Sequence, residues 1–150
     1  MAREDFGFFF DFRVRYSEID GQGIVFNAHY LTYFDTAITE YLRRPDFNYS
    51  EFVKQSGADF HLVKSLVNYE RPIEFDAEIQ VGCRTEKIGN SSITFILEIF
   101  EKNGDMRYAN GEIIWVLTDQ KSHKTIQVPD EIRAIVRSID LQYQLDTGAE

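Results

Sequence analysis

Between positions 27 and 43 the chain reads Asn27-Ala28-His29-Tyr30-Leu31-Thr32-Tyr33-Phe34-Asp35-Thr36-Ala37-Ile38-Thr39-Glu40-Tyr41-Leu42-Arg43. Apolar and aromatic side chains recur there at Tyr30, Leu31, Tyr33, Phe34, Ala37, Ile38, Tyr41 and Leu42, the three- to four-residue spacing of an α-helix. Thr32, Thr36, Thr39 and Arg43 leave only a narrow polar stripe. A helix apolar over so much of its circumference has to be covered on most sides, so the rest of the chain must supply a wrapping layer. Arg44-Pro45-Asp46 ends it, because the residue before a proline is driven out of the helical region.

The flanking sequence predicts that the layer is a sheet. Phe8 to Ile19 alternates aromatic and β-branched residues with charges, reads as a strand, and stops at the turn signal Asp20-Gly21-Gln22-Gly23. A short helix over Ser50 to Gln55 is closed by Gly57. Strands follow over Phe60–Tyr69, Glu78–Ile88, Ile93–Phe100 and Met106–Leu117, with an extension at Thr125–Val128. Asn103-Gly104, where both residues accept positive φ, is the strongest hairpin signal. A final helix starts at Pro129, placed in its first turn with Asp130 and Glu131. Residues beyond Gln144 read as a frayed tail. The expectation is a single α+β domain over 1–150, ordered from about 8 to 142. Its central strands carry apolar residues on both faces, Ile93, Phe95, Leu97 and Ile99 on one and Ile96 and Phe100 on the other. One face can cover the helix and the other calls for a partner.

A net charge of −9 over 150 residues argues against nucleic acid, which needs a dense basic face to displace its counterions. The lone Cys83 excludes an intrachain disulfide. The apolar run Phe6 to Phe10 is too short for a signal peptide, and no stretch has the length of a membrane span, so a reducing, cytoplasmic setting is expected.

Several catalytic patterns are absent: a G-x-S-x-G elbow, H-E-x-x-H and a P-loop. His29, His61 and His123 are too dispersed to form a local metal motif, and neither metal nor cofactor is expected. Gly21-Gln22-Gly23-Ile24-Val25-Phe26 nearly matches a dinucleotide fingerprint, but Phe26 replaces the third glycine and no βαβ unit surrounds it. What this loop does offer is a buried helix's N-terminus, whose backbone N–H groups and dipole can polarise a carbonyl. Asp20 stands at its entrance. A carboxylate beside such donors is a minimal apparatus for acyl transfer, although an aspartate before glycine is also an ordinary turn residue.

Arg15-Tyr16-Ser17-Glu18-Ile19-Asp20-Gly21-Gln22-Gly23-Ile24-Val25-Phe26-Asn27-Ala28-His29-Tyr30, followed by Tyr33-Phe34-Asp35, resembles the entry motif of hotdog-fold thioesterases of the 4-hydroxybenzoyl-CoA thioesterase type. Val67-Asn68-Tyr69-Glu70-Arg71-Pro72-Ile73 and the turn Gly89-Asn90-Ser91-Ser92 are similar to that family's later landmarks. The resemblance implies a hotdog, a long central helix wrapped by a five- or six-stranded antiparallel sheet, assembled as a homodimer or homotetramer. It implies hydrolysis of an acyl- or aroyl-CoA, with Asp20 as nucleophile or general base and the backbone N–H near Asn27 polarising the thioester carbonyl. Tyr16, Gly23, Val25, His29 and Tyr30 are expected to line the site.

Arg84, Lys87, Asn90, Ser91 and Ser92 are candidates for the CoA nucleotide, with Lys121 and Lys124 on the other side. Compared with the Tol-Pal-associated acyl-CoA thioesterase branch, which the chain resembles most, histidine and asparagine are exchanged at Asn27 and His29. Alternatives within the same fold are an enoyl-thioester hydratase or dehydratase, which would favour a histidine beside the carboxylate, and a non-catalytic acyl-ligand binder.

Overall fold

The computed structural model describes residues 3–140. Helix α1 spans His29–Leu42, and its buried residues Tyr30, Tyr33, Phe34, Ala37, Ile38, Tyr41 and Leu42 follow the predicted apolar stripe. Around it curve five strands: β1 (Phe9–Arg13), β2 (Ala58–Tyr69), β3 (Glu78–Ile88), β4 (Ser92–Glu101) and β5 (Arg107–Asp119). Their order is β1-β3-β4-β5-β2, and every neighbouring pair is antiparallel. This is the α+β hotdog arrangement in its five-stranded form.

The inward face of the sheet supplies Ile79, Val81, Cys83, Phe95, Leu97, Ile99, Ile113 and Leu117 to a core closed by α1. Burying one such large side chain stabilises the fold by roughly 1.5–3 kcal/mol. Helix and sheet approach closely at Gly111 on β5, where an added Cβ would lie 2.4 Å from the Phe34 ring and 2.4 Å from the Leu66 carbonyl oxygen. Any side chain there would push helix and sheet apart. Helix α2 (Tyr49–Ser56) begins on Asn48, whose side chain accepts the Glu51 N–H, and ends at Gly57 in the left-handed region. Helix α3 (Asp130–Ile139) packs Ile132, Ile135 and Val136 into the same core.

Several boundaries differ from the sequence reading. The first strand stops at Arg13, not Ile19. After the Val14 N–H bonds the Ala77 carbonyl the chain coils into a 3-10 turn over Tyr16–Glu18. Helix α1 opens two residues after Asn27. Pro129 precedes α3 as its N-cap and is not inside the first turn. Thr125 makes only an isolated bridge to Thr118, so no strand extension forms. The β4–β5 connection is longer than a two-residue hairpin, and only Asn103 takes positive φ there. The expected limit at 142 and the tail beyond Gln144 lie outside the described residues.

Strand β2 forms one edge of the sheet. It leaves Leu62, Val63, Leu66 and Tyr69 exposed, between 40% and 58%. A long, apolar, unpaired edge is a template for another strand.

Candidate active site

The loop from Glu18 to Ala28 is a tight, doubly bridged structure. The Asp20 N–H bonds the Ile24 carbonyl at 2.8 Å, and Gly23 N–H returns to the Asp20 carbonyl at 3.0 Å. Gly23 holds φ of 78°, which a side chain would strain. Ile19 pairs with Val25, and Ile24 with Glu74. The Phe26 N–H reaches back to the Glu18 carbonyl at 2.9 Å, closing the neck of the loop. One Asp20 carboxylate oxygen accepts the Gln22 N–H at 2.8 Å, an Asx turn. Asp20 is therefore a turn residue, with its carboxylate held by the loop's own backbone.

Where this loop meets α1, backbone donors remain open. His29 and Tyr30 bond back to the Phe26 and Asn27 carbonyls. The Asn27 and Ala28 N–H groups have no protein acceptor among the described residues. Helix α1 also has no side-chain cap and no acidic residue in its first turn. The contrast with the capped α2 matters because an uncapped start costs roughly 1 kcal/mol and leaves the positive end of the dipole unneutralised.

Asp20, Val25, Asn27 and Tyr30 line one cavity of about 360 Å3, so the structure gathers these four predicted residues together. Tyr69, Arg71 and Pro72 share that cavity. Tyr69 donates its hydroxyl to the Asn27 carbonyl at 3.2 Å and sets its ring edge-on to Tyr30 at 4.7 Å. The sequence marked the Val67–Ile73 stretch as a landmark without giving Tyr69 or Arg71 a role. Their proximity arises from β2 ending beside the loop, a tertiary contact with no local signal.

Other predicted residues lie elsewhere. Tyr16 does not line the cavity, since the chain leaves the strand and turns as a 3-10 helix over Tyr16–Glu18. It is 78% exposed and packs on Phe75. Gly23 shapes the turn without lining the cavity, and the His29 ring rests against Phe26. Arg84 is buried, with its guanidinium 3.9 Å from Glu86. The turn around Asn90, Ser91 and Ser92 sits at the far end of the strands: Ser92 pairs with Val116, whereas Tyr69 pairs with Ala109. That is roughly 20–25 Å along β5. His61 lies within 3.2 Å of Gln120 on the surface, and His123 takes φ of 60° in the turn that carries Lys121 and Lys124. No group of three or more potential metal ligands converges among the described residues.

A second depression, of about 620 Å3, runs between the polar stripe of α1 and β2, lined by Leu31, Asp35, Phe60, Leu62 and Trp115 among others. Burial pushes the Asp35 carboxyl above its ordinary range.

Comparison with known proteins bears on the family and the fold. A putative esterase of Aquifex aeolicus is 28% identical over 125 residues, covering 83% of this chain and 94% of its own. The acyl-CoA thioesterase YbgC of Haemophilus influenzae is 26% identical over 130 residues, covering 87% and 94%. The crystal structure of a 1,4-dihydroxy-2-naphthoyl-CoA thioesterase from Synechocystis superposes with a TM-score of 0.80 over 86% of this chain and 94% of that one, at 15% identity, and shows the shared fold. The thioesterase-like superfamily matches residues 14–136, nearly the whole of the described chain, and the chain belongs to that superfamily of thioester-hydrolysing enzymes.

Proposed function

We propose that the protein hydrolyses acyl-CoA thioesters in a single domain, with Asp20 as nucleophile or general base and the Asn27 N–H polarising the carbonyl. The observation carrying this reading is the open N–H of Asn27 just before α1, a residue that lines the same cavity as Asp20. A thioester carbonyl gains little resonance from sulfur, and thiolate leaves readily, so hydrolysis needs one positioned oxygen nucleophile and an oxyanion donor. In one course Asp20 attacks the carbonyl carbon, CoA thiolate departs, and water cleaves the resulting anhydride. In the other, Asp20 takes a proton from the attacking water and the same thiolate departs. The relatives named as acyl-CoA thioesterases support CoA as the carrier.

The reading includes a homodimer built on the exposed β2 edge. Antiparallel pairing of two β2 strands about a twofold would set the Tyr69 end of one protomer against the Ala58–Leu62 end of its mate. Each Asp20 cavity would then face the neighbour's groove beside α1, a slot for the acyl group. The neighbour's Lys87, Asn90, Ser91 and Ser92 would come toward the CoA nucleotide. Among the described residues no helix is long and apolar enough to cross a membrane, and the buried free thiol of Cys83 suits a reducing, cytoplasmic setting.

Incubation with a panel of acyl-CoAs and a thiol reporter tests the proposal. Release of CoA thiol, lost in Asp20→Asn, supports it. Change in enoyl absorbance without thiol release would replace it with hydratase chemistry, and saturable binding without turnover with an acyl-ligand binder. Sedimentation of the purified chain as a monomer would remove the dimer.

A further inference from the structure

Glu18 is a buried carboxylate with no part in the chemistry above. It is only 4% exposed, although it lies in a short turn at the surface of the sheet. An isolated buried carboxylate is costly, and this one is fully partnered. One oxygen accepts the Arg15 N–H at 2.8 Å and the Tyr33 hydroxyl at 3.0 Å. The other takes the Arg15 guanidinium at 2.7 and 3.1 Å. Burial pushes the Glu18 carboxyl up, but these donors together outweigh it and hold the group below its usual range.

Three connections meet at this residue. Its side chain is bonded to Tyr33, a buried residue one turn inside α1. Its carbonyl holds the Phe26 N–H, immediately before the open Asn27 donor. Two residues further along the chain stands Asp20. A simple surface turn could be capped by a glutamate pointing into water. Here the carboxylate is driven inward onto the helix whose first residues carry the donors.

We propose that Glu18 and Tyr33 form a positioning pair, which fixes the Asp20 carboxylate relative to the Asn27 N–H without either touching the substrate. The proposal rests on the thioesterase reading above. Displacing one reacting group by a fraction of an ångström slows the chemical step while leaving ground-state binding largely intact.

The test is Tyr33→Phe, which removes the hydroxyl and keeps the ring packed on Phe12, 5.0 Å away. It is run beside Tyr41→Phe, which removes a second buried tyrosine hydroxyl on the same helix, bonded to Thr85 and Asp140 far from the loop. Thiol release and thermal midpoints are measured for both. Tyr33→Phe is expected to lower kcat by about tenfold with KM within about threefold, while Tyr41→Phe, at a comparable drop in Tm, keeps kcat within about twofold of wild type.

Equal loss of kcat in both variants would mean a purely structural role and overturn the pairing. So would a Tyr33→Phe enzyme within about twofold of wild type. Glu18→Gln is expected to reproduce the Tyr33→Phe split if it folds, and the outcome with Tyr33→Phe decides the matter if it does not. A wild-type protein that cleaves no thioester would sink the parent reading and this inference with it. An active wild type with an unaffected Tyr33→Phe would sink this inference alone.

Discussion

The two ends of α1 are built on opposite rules. At its C-terminal end Tyr41 is fully buried, its hydroxyl bonded to Asp140 and to Thr85, and the Thr85 N–H bonds the same carboxylate at 2.9 Å. The polar groups of that cluster have protein partners. At the N-terminal end two backbone N–H groups are left open, one of them on Asn27, which lines a cavity with Asp20. Both ends carry a carboxylate–tyrosine bond, Asp140 with Tyr41 and Glu18 with Tyr33, so what separates them is the unsatisfied backbone. A core helix leaves donors open where something other than the protein is to fill them.

That contrast can be broken from either end. The largest stability effect is expected for Asp140→Ala, which orphans the Thr85 N–H and takes away one of the Tyr41 hydroxyl's two partners. A loss of roughly 2–4 kcal/mol in denaturant unfolding is expected, with the kcat of the folded enzyme unchanged. Ala28→Asp gives α1 the negative charge its start lacks. Turnover should fall by about tenfold as the new carboxylate competes for the donors, while the midpoint of unfolding stays level or rises slightly. Asn48→Ala removes the cap of α2 and should cost about 1 kcal/mol by the same unfolding assay, with no kinetic change.

The smallest effect is one of sign. Glu18 has a lowered pKa in the fold, so its contribution is present above its unfolded pKa and is lost as pH falls through the folded value. The stability deficit of Glu18→Gln should therefore shrink on acidification. Asp140 has its pKa raised, chiefly by burial against the opposing Tyr41 and Thr85 bonds. Its contribution is present below the unfolded pKa and lost as pH rises through the folded one. The deficit of Asp140→Asn should grow on acidification, and thermal melts from neutral pH into the acid range would show the two trends diverging.

Much of this was legible in the sequence, for a physical reason. The apolar period of residues 30–42 and the alternation in the four longer strands are strong because each is set by burial, which periodicity reports directly. Asp20, Val25, Asn27 and Tyr30 fall within one short segment, so their meeting in one cavity followed from local structure. Tyr16 was misplaced because Arg15-Tyr16-Ser17-Glu18 continues the strand's alternation of aromatic and charged residues. The Arg15–Glu18 ion pair instead closes a turn, and alternation cannot signal an ion pair. Tyr69 and Arg71 reach the cavity only through the end of β2, and Arg84 is buried by the assembled sheet. Neither placement has a signature in its own neighbourhood of sequence.

In the proposed function the open end of α1 carries the chemistry and the closed end carries only stability. Thiol release from a cleaved acyl-CoA, measured side by side for wild type, Asp20→Asn and Asp140→Asn, tests it most directly. Asp20→Asn is predicted to lose about a hundredfold or more in kcat/KM with little change in Tm, and Asp140→Asn to lower Tm while keeping kcat/KM within about twofold. An Asp20→Asn enzyme with wild-type turnover would show that the chemistry does not depend on this carboxylate.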